Sequence, residues 1–220
     1  MSPKSPRIVA FAALLALGAC EPAIVDPAPA DGVDPAFAMR GGGGGGEYAN
    51  VMDQDGIHVY SEDGAHIVRQ PNGLLVSVTM PTPEPGTYVY PTSPPGIVPG
   101  HPEVFTLWVF AFNHPEKCTD GVCNADDLGS GAAAKGSVYN GGGHVASGAS
   151  MTITGRLGVG EEAFNDQPLM NPAGAEIHLA VTSHGALSEA DLPNEFRTPT
   201  GPGTCGCWWL SFFKGGGGAH

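Results

Sequence analysis

"GLLVSVTMP", residues 73–81, decides the fold class. Leu74, Val76, Val78 and Met80 alternate with Leu75, Ser77 and Thr79, a period of two that turns one set toward a core and the other outward. Further along, "VFTLWVFAFN" (residues 104–113) is apolar on both faces, the pattern of a central strand covered on each side. Between such runs Gly and Pro, 34 and 21 of the 220 residues, punctuate the chain, and no stretch keeps a 3.6-residue apolar period for three turns.

The other strand candidates are runs of β-branched and aromatic residues between turn signals. "GIHVYSEDGAHIVRQ" (56–70) reads as a hairpin turning at "EDG". "AKGSVYN" and "GHVASG" read as two short strands, followed by "SMTITGRLGVG", "AEIHLAVTSHG" and "CWWLSFF". About nine strands in an all-β domain predict a two-layer β-sandwich or a closed β-barrel. "SEADLPNEF" offers one short helical turn, with Ser188 as its cap and Pro193 ending it. The Pro-rich residues 81–102 cannot form a central strand, because proline has no amide to give the ladder.

The amino terminus carries an address. Lys4 and Arg7 precede the uncharged "IVAFAALLAL" and then "LGAC", ending at Cys20. Ten helical residues rise only about 15 Å, half of a bilayer core, so the segment directs export and does not span. The small residues before Cys20 resemble a lipobox, and that resemblance makes Cys20 the lipidated first residue of the mature chain. Several acyl chains, palmitate among them, supply the multiple signals that stable anchoring needs. The expected organisation is a signal peptide at 1–19, a flexible Pro/Ala/Gly-rich tether at 20–47 with six consecutive glycines, one all-β domain at 48–214, and a Gly-rich tail at 215–220. The expected location is the cell envelope, on the periplasmic face or the outer surface of a bacterial membrane.

Setting Cys20 aside leaves Cys118, Cys123, Cys205 and Cys207, an even number suited to an oxidising compartment. "TDGV" between Cys118 and Cys123 turns tightly enough for a disulfide there. Cys205 and Cys207 would need a local distortion to bridge, and the two pairs together also fit a four-thiolate zinc site. The formal net charge of −13 opposes binding to nucleic acid, which is recognised through basic residues. The partners expected are the membrane, through the lipid, and a cell-surface protein or glycan.

Catalytic patterns are scarce. The chain has no "GxSxG" and no "HExxH". Glu161 and Glu162 are adjacent and diverge on a strand. "CTDGVCNADDLG" holds Asp120, Asp126 and Asp127 but lacks the spacing and closing glutamate of an EF-hand, so an acidic turn closed by a disulfide is the better reading. His178 and His184 share the outer face of one strand, read as solvated, yet stand about 20 Å apart at 3.3 Å per residue. Metal–nitrogen bonds of about 2.0 to 2.1 Å rule them out as a pair unless the chain turns near Ser183. A copper or zinc site would need His101, His144, His178 and His184 to converge, with an acid such as Glu103 or Glu176. Trp208 and Trp209 alternate faces on the last strand, one for the core and one for the surface.

The succession "TPEPGTYVYP", "GHPEVFTLWVFAFNHPEKC", "CNADDLG", "GGHV", "NPAGAEIHLAVTSHGAL" and a final "WW" resembles a set of exported bacterial proteins and lipoproteins with no assigned activity. The resemblance covers most of residues 72–213 and implies a shared fold and compartment, and no reaction. A fainter similarity to copper–zinc superoxide dismutases stops at the ligands, since the chain has no His-x-His. The function expected is a lipid-anchored extracytoplasmic binding or structural module without catalysis or cofactor. The alternative is a copper- or zinc-binding redox or metal-handling domain built on the strand histidines.

Overall fold

The computed structural model describes residues 45–53, 56–84, 102–188, 192, 196–197 and 208–215, all within the unit Gly43–His220. The expected signal peptide, Cys20, His101, Cys205 and Cys207 lie outside the described residues, as does most of the short helix expected after Ser188. Among the described residues there are eight strands and no α-helix: β1 (Glu47–Met52), β2 (Val59–Gln70), β3 (Gly73–Pro81), β4 (Glu103–Phe112), β5 (Gly136–Val145), β6 (Ser150–Gly158), β7 (Glu176–Ala186) and β8 (Trp208–Phe213). They form one antiparallel sheet in the order β5-β4-β7-β8-β1-β2-β3-β6, curled until its edge strands β5 and β6 nearly meet.

The fold is therefore the barrel member of the expected pair. Its interior is filled by alternate residues: Phe105, Leu107, Val109 and Ala111 of β4 against Ile177, Leu179 and Val181 of β7, with Trp209 and Phe213 of β8, none more than 4 % exposed. The alternation read in β3 holds, with Leu74, Val76, Val78 and Met80 buried and Thr79 exposed. Each such side chain contributes about 1.5–3 kcal/mol on leaving water.

Glycine brings the edges together. A Cβ on Gly155 of β6 would collide with the backbone of Gly141 on β5, so only a bare Cα lets the two edges approach. On β5 the register jumps from Trp108↔Asn140 to Thr106↔Gly143, with Gly142 at φ 122°. That bulge bends one continuous strand, which corrects the reading of "AKGSVYN" and "GHVASG" as two and accounts for one of the strands expected.

The "EDG" hairpin is also corrected. β2 runs straight through it, because Asp63 takes φ 49° and gives its amide to Asn50 Oδ1 at 3.0 Å, making an irregularity in the β1–β2 ladder and no reversal. Asn and Asp tolerate this left-handed region better than most residues. The reversal lies before it, where the Asp53 amide donates to the His58 carbonyl at 2.8 Å and Gly56 has φ 69°. β1 itself, placed in part within the tether by sequence, is a full strand.

Two side chains, one buried and one half-buried, tie loops to strands. Asn113, 2 % exposed, donates through Nδ2 to Lys135 O at 2.8 Å and Pro168 O at 3.0 Å, and accepts at Oδ1 from the amides of Met170 at 2.7 Å and Asn171 at 3.1 Å. Arg69 pairs with Glu47 at 2.5 Å and donates to the carbonyls of Pro172, Ala175 and Lys214.

After β4, three 3-10 turns (Pro115–Lys117, Thr119–Gly121 and Ala125–Asp127) carry the Cys118–Cys123 disulfide, with both cysteines buried against Phe112. Asp127 accepts from the Thr119 amide and hydroxyl, each at 2.9 Å, and from the Asn124 amide at 3.1 Å. The Thr119 amide bond is the chief reason its carboxyl titrates below the ordinary range. The carboxylate is spent on holding its own turn, which is why the loop reads as a closed acidic turn.

Candidate functional site: the outer face of β4, β7 and β8

Residues that alternate with the interior ones stand on the outside of the barrel. The ladders set them in rows: Val138, Phe110, His178 and Phe212; then Asn140, Trp108, Ala180 and Leu210; then Thr106, Thr182 and Trp208. Sequence reasoning took the β7 part of this face as solvated. Instead Glu176, Ala180, Thr182 and His184 are all 5 % exposed or less. The correction has a packing cause: loops and neighbouring aromatics cover the sheet. Phe164 meets Trp108 edge-on with ring centroids 5.8 Å apart, and Leu128 packs on the same cluster.

His178 lies between Phe112 and Phe212, with ring centroids 4.9 and 4.7 Å away, and its Nε2 sits 2.7 Å from Glu176 Oε1. Lys214 Nζ shares that carboxylate at 3.1 Å. Burial lowers the His178 pKa, and the hydrogen bond to Glu176 opposes the shift. His184, 3 % exposed, places Nε2 2.8 Å from Thr106 Oγ1. The Thr106 hydroxyl donates to the Phe196 carbonyl at 3.3 Å, so its oxygen accepts from His184 and the Nε2 nitrogen carries the proton. Burial pushes the His184 pKa down to about 4.

His144 lies elsewhere. It pairs across from Phe105 on β5, its Nε2 is buried without a hydrogen-bond partner among the described residues, and burial lowers its pKa. His66 stacks on Tyr48 with centroids 4.4 Å apart, while His58 and His114 stand beside Asp53 and Glu116 at 3.8 and 3.5 Å. Among the described residues no three His, Cys, Asp or Glu side chains gather as a set of metal ligands. His144, His178 and His184 thus do not converge on the copper or zinc site that was the alternative expectation. Thr106 beside His184 has the composition of a nucleophile and base, but Thr106 is fully buried and gives its proton to a carbonyl.

The face is aromatic where it meets solvent. Phe212 is 45 % and Phe164 62 % exposed, with Phe110, Trp208 and Leu210 half-buried between them. Trp209 fills the core and Trp208 takes the outer face, as the alternation predicted. Glu161, in the turn after β6, accepts the Gly158 amide at 2.6 Å.

One part of the face escaped sequence reasoning. The Phe196 carbonyl accepts from both Thr106 and Asn140, and its ring lies over Gly143, where any Cβ would strike it. The only trace in the sequence is the run Gly141, Gly142, Gly143, and nothing there points to a phenylalanine more than 50 residues away. Comparison with known protein families, curated proteins and solved structures finds no match.

Proposed function

We propose that the chain is an exported, lipid-anchored module of the bacterial cell envelope, held at the membrane by acylated Cys20, and that its all-β domain binds a polypeptide partner through the outer face of β4, β7 and β8. One observation carries the reading: aromatic side chains lie on the outside of a barrel whose inside is already filled, and Phe212 and Phe164 remain 45 % and 62 % exposed. An apolar aromatic patch on an acidic protein favours an interaction surface. The buried Cys118–Cys123 disulfide supports an oxidising compartment. The titratable groups of the face support binding over catalysis, since the Glu176 carboxylate is shared by His178 and Lys214 and His184 is bonded to Thr106. The solvent-facing patch consists of Phe110, Phe164, Phe212 and Leu210 beside Trp208, which suits a protein partner better than the ring faces and hydroxyls of a glycan.

The reading is tested in cells by site-specific photo-crosslinking from position 212. A discrete crosslinked polypeptide that disappears in the Trp208→Ser variant supports it. Retention of the protein on isolated cell-wall glycan without any protein adduct overturns the choice of partner. Lipid attachment is read separately, by incorporation of labelled palmitate that is lost in Cys20→Ser.

A further inference from the structure

We propose that Gly143, Thr106 and Asn140 form a recognition slot for an aromatic residue of a polypeptide chain, and that in this structure the protein's own Phe196 occupies it. This rests on the reading of the β4–β7–β8 face as a binding surface, and it adds what the slot takes and how it is regulated.

Three features define the slot. Its floor is Gly143, which has no Cβ, so a flat ring lies directly on the β5 backbone. Its wall carries two side-chain donors, Thr106 Oγ1 and Asn140 Nδ2, converging on a single main-chain oxygen, that of Phe196. A main-chain carbonyl is common to every peptide, so this recognition reads the ring for identity and the backbone for position. Behind the wall His184 donates to Thr106, leaving that hydroxyl to donate outward. Two further buried polar atoms of the same face, Trp108 Nε1 and Thr182 Oγ1, have no hydrogen-bond partner among the described residues, so the face holds more polar capacity than Phe196 uses.

The internal occupant makes the slot competitive. A tethered residue acts at an effective concentration on the order of millimolar, so a free peptide displaces it only when that concentration is overcome. The intact protein is self-capped, and a partner gains the slot when its other contacts, on Phe212 and Trp208, hold it at the face.

The test supplies the occupant in trans. The peptide LPNEFRTPT, residues 192–200 of this chain, is titrated against the full-length protein and its Phe196→Ala variant. Binding to Phe196→Ala at least about tenfold tighter than to the unaltered protein is expected. Binding should vanish when the peptide phenylalanine is replaced by alanine, and also when Gly143→Ala is combined with Phe196→Ala. If Phe196→Ala loses its cooperative melt, Phe196→Leu takes its place with the same expectation. Equal or absent binding across the folded variants overturns the slot. If the photo-crosslink from position 212 persists in that case, the binding module stands without the slot; if it too is absent, both readings fall.

Discussion

His184 Nε2 lies 2.8 Å from Thr106 Oγ1 across the β4–β7 ladder, beside the point where its register shifts. Gly185, at φ 93°, accompanies that shift. The imidazole sits 3 % exposed and is held neutral, with its pKa pushed down to about 4 by burial. The geometry fixes the sign of its contribution to stability. In the unfolded chain the ring takes up a proton near its ordinary pKa of about 6.5, whereas in the fold it resists protonation until near 4. The unfolded state therefore binds more protons between these values, and stability falls as pH drops from about 6.5 toward 4. The full contribution is present above 6.5. His184→Gln keeps a donor for Thr106 and removes the titration. Urea unfolding at pH 7 and pH 4.5 should show a fall about 2–3 kcal/mol smaller in the variant than in the parent; equal falls would remove His184 as a cause.

Gly155 and Gly141 make the barrel seam, and its tolerance should be sharply local. Gly155→Ala places a methyl into the Gly141 backbone, which cannot move as a flexible side chain does. A loss of about 2–4 kcal/mol is expected. Gly131 has open space around its Cα, so Gly131→Ala should stay within about 0.5 kcal/mol. Denaturant midpoints of the two variants decide the matter, and similar midpoints would show that the seam yields.

The legible and illegible parts of this fold divide along a physical line. β3 and β4 were readable because period two and two-sided burial are properties of consecutive residues, and Trp208 and Trp209 were assigned to opposite faces for the same reason. The bulge at Asp63 was misread because Asp-Gly favours reversals in general, while what fixes it here is the Asn50 side chain on the neighbouring strand. The outer face of β7 looked solvated because Glu, His and Thr are usually exposed, and sequence alone could not show that loops and rings would cover it. Phe196 on Gly143 depends wholly on tertiary contact. Alternation within an element is written locally, whereas the cover over an element comes from distant residues.

Asn113 is expected to be among the most sensitive polar positions in the domain. Asn113→Ala removes the acceptor of the Met170 and Asn171 amides and the donor to Lys135 O and Pro168 O, leaving several part-buried backbone groups unpaired. Unsatisfied buried groups cost about 1–3 kcal/mol each, so a total loss of about 3–5 kcal/mol is expected. Hydrogen exchange should show faster opening at residues 169–171 than in β3. A loss below about 1 kcal/mol, with exchange unchanged, would mean that solvent replaces the side chain without strain.

The Cys118–Cys123 bridge closes a short loop, at a sequence separation of five. In the chain-entropy account so small a loop stabilises the fold by about 2 kcal/mol. Removing it should leave the barrel standing, because the interior of β4, β7 and β8 does not include either cysteine. What loosens is the turn region: Phe112 packs in one cluster with the two cysteines, and Asp127 holds Thr119 and Asn124, the residues that follow each of them. In the paired Cys118→Ser, Cys123→Ser variant, the denaturation midpoint should fall by the equivalent of about 2 kcal/mol, while faster hydrogen exchange stays confined to residues 114–135. Exchange that also accelerates in β3 and β6, on the far side of the sheet order, would instead make the bridge a support of the whole barrel.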